Sequence, residues 1–567
     1  DGSFLEGDSD DDDEGGYADR IQVPILSNQI TVTASPVRNT VHLTSTEGGV
    51  SSSPAVDYTK SGNKEDFKSK KQRRLAGRPA STVWFLNSVF EGRPKTVLFQ
   101  YPPQCQKKRD LSRAVEYDEN WAKTKRPSFK VTGKTHLYNC VVNAFRHAGM
   151  KTTTKSSQWN VLIGGVVKGE SVRHLRPEQK CNHFPGTWQL GRKDNMWRNI
   201  SRLKKMFGKE YEIAPQTFLF PDDWKRFNHE REQQPKSLWI LKPSSSSCGR
   251  GIRVVNKNAT VNKKSGYIAC RYIDNPHLIR GYKYDLRLYV LVTSFDPLRI
   301  YFYEDGLVRF ATEKYEKAAK NTKKRFMHLT NYSVNKKSKS YVSNNCQQVN
   351  EGEQGNENED QPSKWSLYDL RQHFEKEGLD YDEVFTKIKD VIIKTCISVE
   401  PHMYNSVVKS VSYKNSFFEL YGFDVMIDRN LKPWILEVNV CPSLSSSSLL
   451  DKKIKTSLMC DVFNLVGFHL FNPKKDPKKH NGIKKHLKSL TTDKDRIRKL
   501  IYRRPVEIAD EGVLLRDLEL NEHEIAMLLD SEEELYRRGF FERIFPRPEN
   551  VEYYQQFFEY QRTNNLL

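Results

Sequence analysis

The chain has 567 residues, enough for two to four domains, and its 92 Lys and Arg against 71 Asp and Glu give a net charge of +21. This excess predicts a polyanionic partner: nucleic acid, an acidic membrane surface or an acidic protein segment. An apolar content of 37%, with 29 Phe and 26 Tyr, excludes a wholly disordered chain. No apolar run is long enough to span a bilayer and no basic-then-apolar signal opens the chain, so we expect no membrane insertion.

The N-terminal residues 1–76 are predicted to be disordered. An acidic run at 8–14 is followed by Ser/Thr/Val-rich sequence of low complexity and by a basic cluster at 68–74. Because the chain opens on Asp1 rather than Met, we expect a fragment of a longer protein. The nine scattered cysteines form no C-x-x-C pair, which favours reduced thiols in the cytosol.

The following segment, 77–180, is predicted to form an N-terminal α/β domain. Strand patterns occur at 82–85, 96–99 and 159–167, and helical spacing at 138–149 ends on a glycine. The next segment, 181–290, carries a basic amphipathic helix over 193–207 and a strand over 239–242 that ends in Lys242. A loop of small residues occupies 244–251, and apolar strands are predicted at 267–273 and from 285.

Residues 291–471 are predicted to form a further domain. A hairpin should turn at 304–306, residues 341–362 have the composition of a disordered insertion, and helices are expected over 366–403 and 451–471. Beyond it, 472–567 begins with 13 Lys and Arg against 3 Asp over 474–504, then becomes acidic and helical. Interleaved strands and helices with antiparallel hairpins favour an α+β class over a doubly wound parallel sheet.

The segment 422–444 predicts a metal site. Two apolar runs flank a turn at 428–433, so the pattern indicates a strand hairpin. Asp424 lies in the first strand, and Glu437 and Asn439 share one face of the second because side chains alternate along a strand. Unpartnered buried carboxylates are costly, and hard oxygen ligands suit Mg²⁺, which completes its shell with waters and nucleotide phosphates. The alternative is a strand pair whose acids face solvent.

No Walker loop and no G-x-G-x-x-G after a strand is present, so phosphate binding must use other residues. Lys242 with its small-residue loop offers a compact cation and close backbone approach, although a plain surface loop has the same composition. Lys283, Asp285 and Arg287 alternate, which places them on one face as a phosphate cradle or as a solvent face. Arg309 and the polar string 328–333 are further candidates; together these residues describe an ATP-dependent enzyme.

Five segments resemble the tubulin tyrosine ligase-like family, and in particular its polyglutamylase members. They are FPGTWQLGRKDNMWRNI, WILKPSSSSCGRGI, YKYDLRLYVLVTSFDPLRIYFYEDGLVRFATEKY, FMHLTNYSVNKK and LYGFDVMIDRNLKPWILEVNVCPSL. The resemblance covers 83–471, with a weaker echo at 537–546. It implies the ATP-grasp fold, with the nucleotide between two α+β lobes. Residues 181–290 and 291–471 would be the central and C-terminal ATP-grasp domains, and 472–567 a basic, helical extension of the microtubule-binding type.

The resemblance also implies site residues. ATP would be bound by Lys242, Cys248, Gly249, Cys270, Arg271, Tyr272, Ile273, Lys283, Tyr284, Asp285, Thr330 and Asn331. Catalysis would use Arg287 and Arg309, and free L-glutamate would be held by Arg309, Tyr332, Ser333 and Lys364. Magnesium would be held by Asp424, Glu437 and Asn439, in agreement with the hairpin pattern.

The implied reaction is ATP-dependent amide formation on glutamate side chains of tubulin tails or other acidic proteins, through an acyl phosphate. The implied location is the cytoplasmic cytoskeleton, with the cilium or basal body among the candidate sites. Branch-initiating members carry Arg, and elongating members Gln, where this chain has Cys248, and Cys270 stands where Gln is usual. A thiol replaces neither group, so a catalytically weakened microtubule-binding relative is one alternative. A ligase using glycine or tyrosine is another, and nucleic-acid binding lacks any supporting motif.

Overall fold

A computed structural model describes residues 82–470 and 520–560, except for 103–104, 106–109, 117–125, 133–136, 156–157, 167–171, 174, 247–248, 317, 342–362, 412–413, 447 and 521. The predicted disordered N-terminus, almost all of the predicted insertion, the basic stretch 474–504 and Cys248 therefore lie outside the described residues. In the described part of the chain, no helix is long and apolar enough to cross a membrane.

Two small sheets open the described chain. One is antiparallel, in the order β2-β1-β3, and the other is parallel, in the order β5-β4-β6-β7. The bounds are β1 Trp84–Leu86, β2 Thr96–Val97, β3 Ala114–Glu116, β4 Ser128–Val131, β5 Lys151–Thr152, β6 Val161–Ile163 and β7 Lys180–Cys181, with helix α1 Asn139–His147 between β4 and β5. The strands and the helix predicted for this segment are all present, although shorter.

A four-stranded antiparallel sheet follows, in the order β10-β9-β11-β8. The strands of this sheet are β8 Thr217–Leu219, β9 Trp239–Pro243, β10 Arg253–Val255 and β11 Tyr267–Arg271. Helices α2 Trp188–Gly191 and α3 Lys193–Phe207 precede it, and α4 Trp224–Gln233 lies between β8 and β9. The basic helix predicted over 193–207 is confirmed as α3. Its apolar stripe, which includes Met196, Ile200 and Leu203, is buried, so the basic residues are left for the outer face.

The largest sheet has eight strands arranged around one long central strand, β13. The strands are β12 Leu278–Ile279, β13 Tyr282–Phe295, β14 Leu298–Tyr303, β15 Leu307–Lys314, β16 Lys364–Ser366, β17 Glu419–Ile427, β18 Pro433–Asn439 and β19 Phe541–Phe545. The predicted hairpin of 422–444 is confirmed as β17 and β18. The predicted boundary between residues 290 and 291 falls inside β13.

The hairpin predicted at 304–306 is wrong. β14 pairs with β13 over 290–295 and β15 pairs with β13 over 282–287, while β17 covers 286–292 on the opposite edge. β14 and β15 therefore lie end to end along one edge of β13, and 304–306 join two collinear strands. An Asp-Gly pair between apolar runs is typical of hairpin turns. Only the pairing of both strands with β13 distinguishes two collinear strands from a hairpin here.

Helices cover both faces of the large sheet. They are α5 Arg325–His328, α6 Tyr332–Asn335, α7 Leu367–Lys376, α8 Tyr381–Ser410, α9 Leu449–Val466, α10 Glu522–Arg537 and α11 Val551–Gln555. Leu288 and Val290 of β13 belong to the same core cluster as α8, whereas Tyr289 and Leu291 belong to the cluster that contains α9. Successive side chains of β13 therefore point alternately into two hydrophobic cores, which explains why this strand is apolar on both faces.

The described end of the chain is built into this core. β19 pairs with β14, and α10 packs against α9. Glu534 of α10 accepts hydrogen bonds from Thr293 (2.9 Å) and Tyr301 (2.8 Å) and forms an ion pair with Arg299 at 3.2 Å. Residues 520–560, which were predicted to belong to an extension, are therefore part of the same packed unit as the large sheet.

We expect Glu534→Ala to lower the free energy of unfolding by about 3–5 kcal/mol, because Arg299 is only 1% exposed and would lose its charge partner. Urea unfolding followed by circular dichroism measures this change. Glu532→Ala is the matched control on the same helix, since its ion pair with Arg543 is long (3.8 Å) and Glu532 is 51% exposed. That control should cost no more than about 1 kcal/mol, and equal losses for the two variants would contradict the argument.

Candidate active site

A cleft lies between the four-stranded sheet, helix α3 and the charged end of the large sheet. Its empty volume, including the part open to solvent, is about 1080 Å³, which is the size of a cofactor or nucleotide site. Apolar side chains such as Met196, Ile240 and Ile435 alternate with cations and carboxylates along its walls. The structure brings most of the predicted nucleotide residues here: Lys242, Gly249, Cys270, Arg271, Tyr272, Ile273, Lys283, Asp285, Thr330 and Asn331.

The small-residue loop forms one wall of the cleft. Lys242 lies near the end of β9, and the loop after it returns through Gly249, whose φ of +67° favours glycine. A Cβ at Gly249 would lie 2.8 Å from Val334 and 3.3 Å from the side-chain oxygen of Asn331. The loop can therefore reach the polar string near Asn331 only because a side chain is missing at this position.

Lys283 is buried at the floor of the cleft. Its ammonium donates to the hydroxyl of Tyr272 at 2.9 Å, and that hydroxyl is hydrogen-bonded to Nδ1 of His328 at 2.7 Å. Burial and the nearby charge of Lys242 lower the pKa of Lys283 to about 7. Lys283 therefore changes its charge near neutral pH. His328, the first residue of the predicted polar string 328–333, lines the same cleft.

Charged residues follow one another across five neighbouring strands, and we call them the charged row: Glu437, Asp424, Arg287, Asp285, Arg309 and Lys364. In strand register, Asp424 lies opposite both Glu437 and Arg287. Arg309 lies opposite both Asp285 and Lys364. The predicted alternation of Lys283, Asp285 and Arg287 on one face of β13 thus becomes the centre of a continuous polar strip.

Two arginines of the charged row are held by two carboxylates. Arg287 donates to Asp424 through two nitrogens (2.6 and 3.1 Å), and Arg309 does the same with Asp285 (2.8 and 2.5 Å). Arg309 also lies 2.9 Å from Asp424. Burial disfavours ionisation of Asp424, but the two arginines outweigh it and hold its pKa well below the usual range. Burial raises the pKa of Asp285, and the charge of Asp424 adds to this shift.

The three predicted metal ligands all lie on the β17–β18 hairpin. Asp424 and Glu437 are cross-strand partners, and Asn439 lies opposite Gly422, one same-face position further along. The amide nitrogen of Asn439 donates to the Gly422 carbonyl at 3.2 Å, which leaves the amide oxygen as the end suited to a cation. Glu437 forms an ion pair with Lys193 at 2.8 Å. Three oxygen-bearing groups of this kind fit the oxygen preference of Mg²⁺.

Among the described residues, no group of three His, Cys, Asp or Glu side chains is arranged to hold a metal ion. The two carboxylates of the hairpin are instead engaged by Arg287, Arg309 and Lys193. Because each carboxylate has several lone pairs, it can accept a cation beside an existing hydrogen bond. The metal role of this trio therefore stays a prediction.

Several predicted residues lie away from the cleft. Tyr284 points to the opposite face of β13, is 1% exposed and is hydrogen-bonded to His277 at 2.9 Å, so its side chain packs in the core. Ser333 lines a separate basic groove. The Lys364 ammonium lies 4.6 Å from the centre of the Tyr332 ring, at the far end of the charged row. Tyr332 is 38% exposed.

Sequence reasoning missed Lys193 and Asp451. Lys193 begins α3, lines the cleft and pairs with Glu437, although it lies more than 200 positions from that residue. Asp451 is fully buried in the first turn of α9 and accepts from Lys364 at 2.7 Å. Ser448 caps this helix, since the backbone N–H of Asp451 donates to its hydroxyl at 3.1 Å, but a helix cap carries no sign of a site.

The fold and the cleft define a mixed α/β protein with a cationic, ligand-sized site that does not use a Walker loop. A family model described as the tubulin-tyrosine ligase family matches residues 172–478, which is more than half of the chain. The chain therefore belongs to the tubulin-tyrosine ligase family, and the resemblance stated from its motifs is confirmed.

Similar proteins carry glutamylase names. The chain is 40% identical over 443 residues to tubulin monoglutamylase TTLL4 of Homo sapiens, covering 76% of this chain and 36% of that protein. It is 38% identical over 442 residues to human tubulin polyglutamylase TTLL5, covering 74% and 33%. Tubulin polyglutamylase ttll-4 of Caenorhabditis elegans is 31% identical over 475 residues, covering 81% and 75%. The chain thus spans about a third of the length of the two human relatives.

Proposed function

We propose that the chain is an ATP-dependent protein–glutamate ligase. ATP would phosphorylate the side-chain carboxylate of a glutamate in an acidic acceptor, and the amine of free glutamate would attack the acyl phosphate, forming an isopeptide bond and releasing phosphate. The observation that carries the proposal is the meeting of the lysine-lined cleft with the charged row. The cations that would bind the phosphates, the carboxylates suited to a divalent ion and the cations that would bind the donor then belong to one continuous site.

The residues of the chain would contribute mainly positioning and electrostatics. Lys242 and Lys283 would bind nucleotide phosphates. Magnesium held at Asp424, Glu437 and Asn439 would neutralise phosphate charge. Since the guanidinium groups of Arg287 and Arg309 are already fixed by carboxylates, they would face the reacting groups without reorganising. No protein nucleophile is needed.

A basic groove beside the cleft supports an acidic acceptor. Its lining is dominated by cations and includes a single carboxylate, Glu313; the cations are Arg250, Lys323, Lys324, Arg325 and Lys337. Arg325 donates to the Gly249 carbonyl at 3.3 Å, so the groove adjoins the loop that forms one wall of the cleft. A glutamate-rich segment in this groove would neutralise the surplus charge. Because relatives are named tubulin glutamylases, we propose tubulin tails as the acceptor and the cytoskeleton as the location.

Incubation with tubulin-tail peptides, ATP, magnesium and labelled glutamate, glycine or tyrosine tests the proposal. We expect incorporation of glutamate alone. Incorporation of glycine or tyrosine would show that this amino acid, and not glutamate, is the donor. If no amino acid were incorporated, the proposed ligase function would be overturned. Because relatives named monoglutamylase and polyglutamylase both match, mass spectrometry of the product should then count the glutamates on each acceptor site.

ATP affinity should depend on the charge of Lys283. We expect the Kd for ATP to rise several-fold from pH 6 to pH 8, because the ligand-free pKa of Lys283 is about 7 and the ammonium is lost above it. Isothermal titration with a non-hydrolysable ATP analogue measures the Kd. Lys283→Met should bind more weakly at pH 6 and show a flatter profile, whereas Lys264→Met, an exposed lysine outside the cleft, should retain the wild-type profile. An unchanged slope in Lys283→Met would contradict this assignment.

A further inference from the structure

Three buried polar side chains are linked by hydrogen bonds at the floor of the cleft, and we call them the relay: His328, Tyr272 and Lys283. Each is at most 5% exposed. The hydroxyl of Tyr272 lies 2.7 Å from Nδ1 of His328 and 2.9 Å from the ammonium of Lys283. Tyr272 directly follows β11 of the four-stranded sheet, Lys283 lies on β13 of the large sheet, and His328 ends α5. The relay therefore joins three separate elements.

The direction of every hydrogen bond in the relay follows from its last acceptor. Nε2 of His328 lies 2.9 Å from the backbone carbonyl of Asn321, which can only accept, so Nε2 carries a proton. In the neutral ring Nδ1 is then an acceptor, and the Tyr272 hydroxyl donates to it. The lone pairs of that hydroxyl are left for the Lys283 ammonium, which can only donate. Lys283 is thus held by a tyrosine whose own proton is engaged by His328.

The surroundings of His328 favour the neutral ring. Burial lowers the pKa of His328, and although the hydrogen bond to Asn321 opposes this shift, the charge of Lys283 adds to it. Burial also raises the pKa of Tyr272 well above its ordinary value, so its hydroxyl remains a donor at neutral pH. The donors and acceptors of the relay therefore match one another at the pH of the proposed reaction.

The relay determines where the ammonium of Lys283 lies. Its nitrogen is 4.3 Å from the centre of the Tyr272 ring and 5.8 Å from that of Tyr315, so two aromatic rings enclose it. The hydroxyl of Tyr315 donates to the Asp274 carbonyl at 3.0 Å, and its oxygen is the alternative acceptor for the proton of Tyr272. Without the imidazole, the Tyr272 hydroxyl would turn toward Tyr315, and the lone pairs that receive the ammonium would turn with it.

We propose that His328 is a positioning residue for the nucleotide, because through Tyr272 it fixes the ammonium of Lys283 where that group meets the phosphates of ATP. This inference rests on the proposed function, since it presupposes a nucleotide in the cleft. Both ring nitrogens of His328 are engaged within the protein, so the imidazole would act without touching ATP. A cation that is already fixed needs no ordering when the phosphates arrive, and this strengthens binding.

The test compares His328→Leu with His328→Asn in the full chain. Both changes remove the hydrogen bond to Asn321, but asparagine carries an oxygen close to the position of Nδ1 and can still accept from Tyr272. We expect the Kd for a non-hydrolysable ATP analogue, measured by isothermal titration at pH 7, to rise about three- to tenfold in His328→Leu, as for the loss of one hydrogen bond. In His328→Asn the Kd should remain close to that of the wild type. His229→Leu is the matched control, since His229 is exposed on α4 and lies outside the cleft.

A double-variant cycle shows whether His328 acts through the relay. Tyr272→Phe keeps the ring and removes the hydroxyl, so it should raise the Kd about as much as His328→Leu, and the two changes together should cost no more than either alone. In a Lys283→Met background, His328→Leu should have no further effect on the Kd. Additive losses would overturn the inference. A lower melting temperature of His328→Leu at an unchanged Kd would also overturn it, because that is the result expected of a purely structural bridge.

The outcomes also separate this inference from the proposed function. If the variants showed this pattern but the wild-type chain incorporated no amino acid, the positioning role would be supported and the ligase function refuted. If the wild-type chain incorporated glutamate while His328→Leu and Tyr272→Phe bound the analogue like the wild type, the positioning role would be refuted and the ligase function would stand. Failure of the wild-type chain to bind the analogue would refute both.

Discussion

Glutamate incorporation should fall by about 10²–10³-fold in Glu437→Gln, as when one group that stabilises developing charge is removed from an active site. Glu437 lies opposite Asp424 in strand register and lines the cleft, so the change removes one of two carboxylates at the point where nucleotide and divalent ion would meet. The substitution keeps the size of the side chain, which is 22% exposed, and should leave folding intact. Incorporation of labelled glutamate into tubulin-tail peptides measures the effect.

The control is Glu375→Gln, because Glu375 is exposed on α7 and lies outside the cleft. That variant should keep wild-type incorporation. Co-sedimentation with microtubules should be the same for the wild-type chain and both variants, since Glu437 does not line the basic groove. If Glu437→Gln kept full incorporation, the metal site would be refuted. If the wild-type chain bound microtubules without incorporating any amino acid, a catalytically weakened binder would be the better description.

Local alternation was the part of the site that the sequence could predict. Two apolar runs around a turn predicted the hairpin that carries Asp424, Glu437 and Asn439, and that hairpin is present. The two-residue repeat of a strand predicted that Glu437 and Asn439 share one face. The same rule placed Lys283 and Asp285 on one face, and both line the cleft. The same alternation places Tyr284, which only the resemblance added to the site, on the opposite face of β13, and its side chain points into the core.

Contacts between residues far apart in the chain could not be predicted from the sequence. The contacts of Arg309 with Asp285 and Asp424 depend on the order of three strands, and that order follows from β13 pairing with both β15 and β17. The erroneous hairpin at 304–306 has the same origin, since a local turn signal cannot reveal that two strands share a third as partner. Asp451 reaches Lys364 across 87 positions, and no local pattern carries that contact.

Gly422 shows how packing and site are linked. A Cβ at this position would lie 3.2 Å from Cδ of Arg287 and 2.8 Å from Pro442, so the arginine can lie along the sheet only because the neighbouring strand has no side chain there. Arg287 in turn donates to Asp424. The conformation of the proposed catalytic arginine is therefore set by a glycine on β17 as well as by its charge partner.

Asp424→Asn should be the most destabilising single change in the charged row. Asp424 is 2% exposed and accepts from Arg287 while lying 2.9 Å from Arg309, so a neutral amide would leave two buried guanidinium groups with a single carboxylate, that of Asp285. We expect the free energy of unfolding at pH 7 to fall by about 3–5 kcal/mol, measured by urea unfolding. Incorporation of glutamate should also be lost, because the remaining carboxylate cannot hold both arginines.

The pH dependence separates the lost charge from lost packing. The folded-state pKa of Asp424 lies well below its unfolded value of about 3.9, so its contribution to stability is fully present above that value and is lost as pH falls through the folded pKa. The difference between the wild-type chain and Asp424→Asn should thus be constant from pH 7 to pH 5 and shrink below about pH 4. Asp382→Asn is the matched control, because its ion pair with Arg371 is largely exposed and should contribute at most about 1 kcal/mol. A difference that stayed constant down to pH 2 would show that Asp424 stabilises the sheet by packing rather than by charge.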